Sequence, residues 1–214
     1  MPAVSLAASL AAPAAPPAPP PPAAPVTADE FFRYAAAHTH DELVDGVIVP
    51  MSPAGARHNV IAGNLFLVLA PYVRARGLGH VFTDNVGYYL PIPGARRDTV
   101  RSPDASFVTA GRLAEVPVGF VRLAPDLALE VLSPSDSAAD VDARMADYFA
   151  AGTRLLWVID PERRTVAVHS RSAGARWLGE GDALDGADVI PGFTLPVAAL
   201  FEGLAPILDP PTAS

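Results

Sequence analysis

The chain contains no cysteine and no lysine. Without cysteine there are no disulfides, no thiolate metal sites and no thiol nucleophile, although the compartment stays open. Without lysine there is no Schiff-base chemistry, no P-loop lysine and no catalytic ammonium; all 15 basic residues are arginine. Charge is sparse as well: 18% of residues are charged, and the formal net charge is -8. An acidic balance argues against tight, non-specific coating of nucleic acid, which depends on basic surface. It leaves room for an enzyme that meets nucleic acid only locally. No run reaches about 18 uninterrupted apolar residues, so no membrane span is expected. The apolar N-terminus has no basic residue before Arg33 and so lacks the positive region of a secretory signal; the expected location is the cytoplasm.

Proline, by contrast, is abundant: 24 of 214 residues, against a usual share of roughly 5%. Residues 1–25 alone hold nine prolines and ten alanines. Proline has a fixed φ and no donor N–H, so this stretch suits neither helix nor sheet. Residues 1–26 therefore read as a disordered, Ala/Pro-rich arm, residues 27–208 as one folded domain and residues 209–214 as a tail. With 50% hydrophobic residues, the remainder can bury one real core.

Thr27-Ala-Asp-Glu30 has the form of a capping box and predicts a short helix through Ala37. Glu42 to Val44 and Val47 to Val49 read as two short strands around Asp45-Gly46, a hairpin signal. Apolar residues at 61, 65, 68, 69 and 72 predict a helix from His58 to about Tyr72, limited by Pro71 and Gly77. Val81 to Leu90 reads as one strand, and residues 94–103 as a polar loop carrying Arg96, Arg97 and Arg101. Ala105 to Thr109 is a short strand, and Leu127 to Leu132 another, apolar on both faces apart from Glu130. Ser137 to Ala151 is helical and stops at Gly152; Leu155 to Ile159 and Thr165 to His169 pair across the Asp160-Pro161-Glu162 turn. Short strand and turn material ends at about Leu208. The order predicts an α/β domain with a mixed sheet flanked by helices.

Two acids stand out. Asp104 sits where a loop enters a strand, and Glu130 lies inside an otherwise apolar strand. Charged side chains are rarely buried unless paired or bound to metal. Two carboxylates at the ends of neighbouring strands would make a hard-oxygen site for Mg2+ or Mn2+, able to polarise a phosphoryl group and activate a water. The competing reading is that each is an ordinary acid at a strand edge. His58 starts the long helix on the face of Ile61 and Leu65; it could assist a water, bind phosphate or bind metal, or be a structural hydrogen-bonder. Glu42 is a third acid for the site or, slightly favoured, a surface charge on the hairpin. Arg96, Arg97 and Arg101 could track a phosphate backbone, and a solvated loop explains them equally well. Ser133 lacks the glycine-flanked elbow of a hydrolase serine and reads as a turn residue. Tyr148 and Trp157 read as core, and His38, His40, His80 and His169 show no metal-ligand spacing.

Arg101-Ser-Pro-Asp104, Pro125-Asp-Leu-Ala-Leu-Glu-Val-Leu-Ser-Pro-Ser135, Asp140, Tyr148, Gly152 and Trp157-Val-Ile-Asp-Pro161 occur in one order. Together with Glu42-Leu-Val-Asp-Gly46, Met51-Ser-Pro53 and His58, they resemble the Uma-type family of restriction endonucleases, within the PD-(D/E)XK nuclease superfamily. The resemblance covers roughly residues 30–200. It implies a four-stranded mixed sheet flanked by helices, with Asp104 and Glu130 as metal-binding acids and the backbone carbonyl after Glu130 as a further ligand. The superfamily pattern places a lysine two positions after the acid, where this chain has Leu132. In this family a lysine commonly comes instead from the following helix, four residues before the tyrosine; here that position is Arg144. Arginine stays charged and cannot act as a general base, but it can hold or stabilise a phosphate. The alternative for Arg144 is a surface ion pair with Asp140, one helical turn earlier.

The reading is thus a Mg2+- or Mn2+-dependent endonuclease acting on phosphodiester bonds, DNA first, with Asp104 and Glu130 holding metal, Arg144 stabilising phosphate charge and His58 assisting. Cutting both strands would call for a homodimer. The rivals are a catalytically silent nuclease fold that binds nucleic acid or protein, and a structural assembly module. One expectation follows from composition alone: limited proteolysis should remove residues 1–25 and leave a core of unchanged melting temperature. A fall of several degrees on trimming would show that the arm packs on the domain.

Overall fold

The computed structural model describes residues 24–38 and 40–205. Calls on residues 1–23 and on the tail lie outside them. The packed unit begins just ahead of Thr27: the Val26 N–H donates to the Gly46 carbonyl, and its side chain joins a small apolar cluster. The elements in order are α1 (Ala28–Ala35), β1 (Glu42–Val44), β2 (Val47–Val49), α2 (Ala56–Ala75), β3 (Gly79–Thr83), β4 (Tyr88–Tyr89), β5 (Val100–Arg101) and β6 (Ala105–Thr109). They continue with β7 (Leu127–Val131), α3 (Ala138–Ala151), β8 (Leu155–Asp160), β9 (Thr165–Ser170), β10 (Gly174–Leu178), β11 (Ala183–Asp185), β12 (Thr194–Pro196) and α4 (Val197–Leu200).

The main sheet has six strands in the order β10-β9-β8-β7-β6-β3. Only the β7–β8 pair is parallel, and α3 makes the crossover between them, so the sheet is mixed and helix-flanked as the sequence predicts. It is wider than the four strands implied by the family resemblance, because β3 extends it beyond β6 and the β9–β10 hairpin extends it beyond β8. A second sheet, β2-β1-β5-β4, packs with α1, and β11 pairs with β12. None of the described helices is long and apolar enough to cross a membrane.

Strand alternation divides the core between the two faces of the main sheet. Phe107, Leu127, Leu129, Val131, Leu155, Trp157 and Ile159 pack with Ile61, Leu65, Leu69 and Val73 of α2. Val108, Ala128, Leu156 and Val158 pack on the other face with Tyr148, Val141, Met145 and Phe149 of α3. Glu130 shares the phase of Ala128 and so points toward α3.

The structure departs from the sequence reading at four places. Pro71 lies inside α2 instead of ending it. Its ring is exposed, and Leu69 and Val73, fully buried on the opposite face, keep the helix going past the lost hydrogen bond. Val81 to Leu90 is not one strand: it breaks after Thr83, Asn85 adopts φ 65, and β4 enters the other sheet. α1 ends at Ala35, two residues early. Arg101 belongs to β5 and is buried, so it is not part of a solvated loop. The Asp45-Gly46 turn has positive φ at both residues (48 and 73), as a two-residue hairpin requires.

α3 is fixed at both ends. Ser137 and Asp140 form a reciprocal capping box, and Gly152 closes the helix at φ 112. A Cβ on Gly152 would meet nothing within 4 Å, so substitution there costs backbone strain alone. Gly152→Ala is expected to destabilise the protein by about 1–2 kcal/mol in urea titrations without changing the fold. An unchanged midpoint would show that the helix end relaxes freely.

Candidate active site

The β6–β7 ladder ends at the pair Ala105–Leu129, which leaves Asp104, just ahead of β6, beside Glu130 at that end of the two strands. Backbone contacts bracket this pair. The Asp104 N–H donates to the Leu129 carbonyl at 3.0 Å, and Asp104 Oδ2 accepts from the Val131 N–H at 2.7 Å. His58, in the first turn of α2, places Nε2 3.0 Å from the same Oδ2. Its Nδ1 is buried and has no partner among the described residues.

Glu130 is 6% exposed. Its Oε1 accepts from the Tyr148 hydroxyl at 2.9 Å, while Oε2 faces Arg144 Nε at 3.5 Å. That separation is too long for a good hydrogen bond, and Arg144 Nε has no other partner among the described residues. Arg144 Nη2 donates to Asp136 Oδ1 at 2.7 Å. The alternative ion pair of Arg144 with Asp140 is therefore not formed. Asp140 is occupied by the Ser137 cap, and the guanidinium turns inward to a buried position between Glu130 and Asp136.

The four residues singled out in the sequence thus converge: His58 on Asp104, and Asp104 and Arg144 beside Glu130. Glu42 joins this region as well, against the reading that placed it on the surface. It is buried at 4% exposure, with Oε2 accepting from Arg101 Nη1 at 2.7 Å and Oε1 from the Ser102 N–H at 2.9 Å. Arg96 and Arg97 stay exposed. Asp136, Asp147 and the hydroxyl of Tyr148 were not singled out. Tyr148 had a signal, since it lies one helical turn after Arg144 on the same face. Asp136, in the loop before α3, had none.

Burial and then the Asp104 charge push the Glu130 carboxyl well above the ordinary range; Arg144 offsets this in part, and Glu42 adds to it. Burial works against a charged His58, but the hydrogen bond and charge of Asp104, with Asp136 and Asp84 beyond, more than compensate and raise its pKa. Burial likewise opposes the Arg144 charge, and Glu130 with Asp136 outweighs it, so the guanidinium stays ionised.

The donor set suits a hard divalent cation. Asp104 Oδ1 and Glu130 Oε2 accept no hydrogen bond among the described residues, although Oε2 also faces Arg144, so each carboxylate has one oxygen that could turn to a ligand. The described residues contain no cluster of three or more His, Asp or Glu able to cage a metal. Mg2+ does not require one: it is commonly held by one or two carboxylates, with waters and substrate phosphates completing the shell.

The arrangement has relatives. The fold is that of a protein described as a putative nuclease belonging to DUF820 from Anabaena variabilis, with a TM-score of 0.70 at 22% identity. The alignment covers 83% of this chain and 98% of that one. Residues 28–198 match the family model Uma2, described as "putative restriction endonuclease", and the chain belongs to that family. No curated protein matches the chain.

Both raised groups tilt stability in the same direction. Glu130 binds its proton more tightly folded than unfolded, so the metal-free protein loses stability as pH rises from about 4.5 through the folded value. His58 contributes a further loss above about 6.5, as pH passes through its own raised value. Urea unfolding in a metal chelator should show stability falling from pH 5 to pH 8. Glu130→Gln should remove the part of the decline that begins near 4.5 and leave the part above 6.5. An identical pH profile in that variant would mean that Glu130 does not resist ionisation.

Proposed function

We propose that this protein is a divalent-metal-dependent endonuclease that hydrolyses phosphodiester bonds in DNA. The observation that carries this reading is the pair Asp104 and Glu130. They lie side by side at one end of β6 and β7, each with an oxygen that accepts no hydrogen bond among the described residues, beside an ionised buried arginine. A cation held by these two carboxylates would polarise the phosphoryl group and make a water acidic enough to attack near neutral pH.

The chain's own residues do the rest. Val131 N–H and His58 Nε2 fix one oxygen of Asp104 and leave the other without a hydrogen bond among the described residues. The Tyr148 hydroxyl fixes one oxygen of Glu130 and leaves the other facing Arg144. Arg144 cannot take a proton from water, so it serves as a fixed positive charge for the scissile phosphate, which its fork can grip through two parallel hydrogen bonds. His58 orients Asp104, and its unpartnered Nδ1 leaves it able to handle a proton or a phosphate oxygen. One chain brings one such site, so cutting both strands calls for two copies.

A second reading has its own observation. Arg144 is held by Asp136 and lies against Glu130, so the guanidinium is engaged before any phosphate arrives. A silent nuclease fold that only binds nucleic acid would look the same.

Plasmid nicking with Mg2+ or Mn2+, read beside melting temperature, separates the two. Wild type should nick DNA and melt higher with metal. Asp104→Asn and Glu130→Gln should lose both effects. Arg144→Ala should slow nicking about 100-fold or more, the size expected for one charge-stabilising donor, while Arg144→Lys keeps much of the rate. Asp140→Ala should leave the rate near wild type. Metal binding without nicking would favour the silent fold, and restoring lysine at position 144 would then test whether a group able to give up its proton was missing.

A further inference from the structure

Arg101 is 6% exposed and lies three residues before Asp104. Its guanidinium joins two carboxylates from different parts of the fold. Nη1 donates to Glu42 Oε2 on β1 at 2.7 Å; Nε and Nη2 donate to Asp147 Oδ2 on α3 at 2.9 and 2.6 Å. The second oxygen of Glu42 accepts the Ser102 N–H at 2.9 Å, so both Glu42 oxygens are used by residues 101 and 102. Two residues later Asp104 is tied to β7 through its own N–H and through Val131. The segment 101–104 is therefore held at both ends. Asp147 sits between Arg144 and Tyr148, the two α3 residues that face Glu130.

We propose that Arg101 is a positioning residue which, with Glu42 and Asp147, clamps the Asp104 segment and α3 in register around Glu130. The proposal rests on reading Asp104 and Glu130 as the metal-binding pair. Both Glu42 oxygens already accept hydrogen bonds, and a guanidinium offers no lone pair to a cation, so the two residues act through Asp104. The fork matters as much as the charge. Three nitrogens reach two carboxylates in different directions, and the single ammonium of lysine cannot span both.

The test uses the full chain carrying Arg101→Lys, with two readouts. The first is hydrogen exchange of the Val131 amide, which reports the position of Asp104 without any metal. Its exchange should speed up at least about tenfold more than that of amides on β9. The second is Mn2+ affinity by calorimetry, which should weaken about 10- to 100-fold, the usual effect of removing a partner that orients a metal ligand. Arg112→Lys is the control: Arg112 pairs with buried Asp126 at the opposite end of β6 and β7. It should lower melting temperature while leaving Val131 exchange and Mn2+ affinity unchanged. Should Arg101→Lys fail to fold, Asp147→Asn removes only the half-buried partner's charge and carries the same comparison, with a smaller effect in the same direction. Even acceleration of exchange across the whole sheet, or no change at Val131, overturns the clamp and leaves Arg101 a stability residue. Absence of Mn2+ binding in wild type sinks the metal reading separately, and the Val131 amide still decides the clamp.

Discussion

Burial of one carboxylate governs this site. In β7, Leu127, Ala128, Leu129 and Val131 are all buried, and Glu130 among them is nearly as enclosed. A carboxylate without water has to be matched by donors or opposite charge, or it gives up its ionisation. The protein supplies one hydroxyl, from Tyr148, and one nearby cation, Arg144. It then adds acids: Asp104 at the end of the ladder and Glu42 close enough to raise Glu130 further. A network built for stability alone would bring its charges to balance. This one carries a surplus of carboxylate that protons balance in acid and that a divalent cation would balance at neutral pH.

α3 shows how local sequence choices reach that site. Ser137 and Asp140 use each other for the helix start, which removes Asp140 as a partner for Arg144 although the two are spaced for an ion pair. Arg144 turns inward, to Glu130 and Asp136. The same helical phase gives Tyr148 to Glu130 and Asp147 to Arg101. Gly152 ends the helix in a conformation that costs other residues strain, and this sets where β8 begins beside β7. Cap, phase and stop thus place three side chains without any of them touching the acids first.

Most of the fold was legible because it rests on local signals. The capping box at Thr27, the helix that stops at Gly152, the Asp45-Gly46 turn and the apolar strands β7 and β8 all stand as read. The misreadings fall where long-range burial outweighed a local rule. Pro71 should stop a helix, but the stripe ending at Val73 keeps α2 packed. The run from Val81 to Leu90 looks continuous, yet its two halves serve different sheets. At the site, Asp104 and Glu130 could be picked out because each breaks an apolar pattern. Glu42 and Arg101 could be named as candidates but not placed: each sits beside a polar neighbour in a strand of two or three residues, and only the folded chain shows that they bury each other. Asp136, a loop acid among serines, carries no pattern of its own.

The absence of lysine is therefore more than a compositional oddity. A lysine beside a nuclease carboxylate can be charged or neutral, and so can act as electrostatic support or as a proton acceptor. Arginine keeps only the first role. With Arg144 in that position, proton transfer has to be handled by other groups, and of the residues converging here His58 alone is an imidazole. Its Nε2 is committed to Asp104, while its Nδ1 is uncommitted. Under the proposed function, charge and proton handling would fall to separate residues, one from α3 and one from α2. Such a division would make the placement of Asp104 more consequential, because this carboxylate holds His58 and sets its own charge beside Glu130. The buried Glu42–Arg101–Asp147 network lies immediately upstream of it.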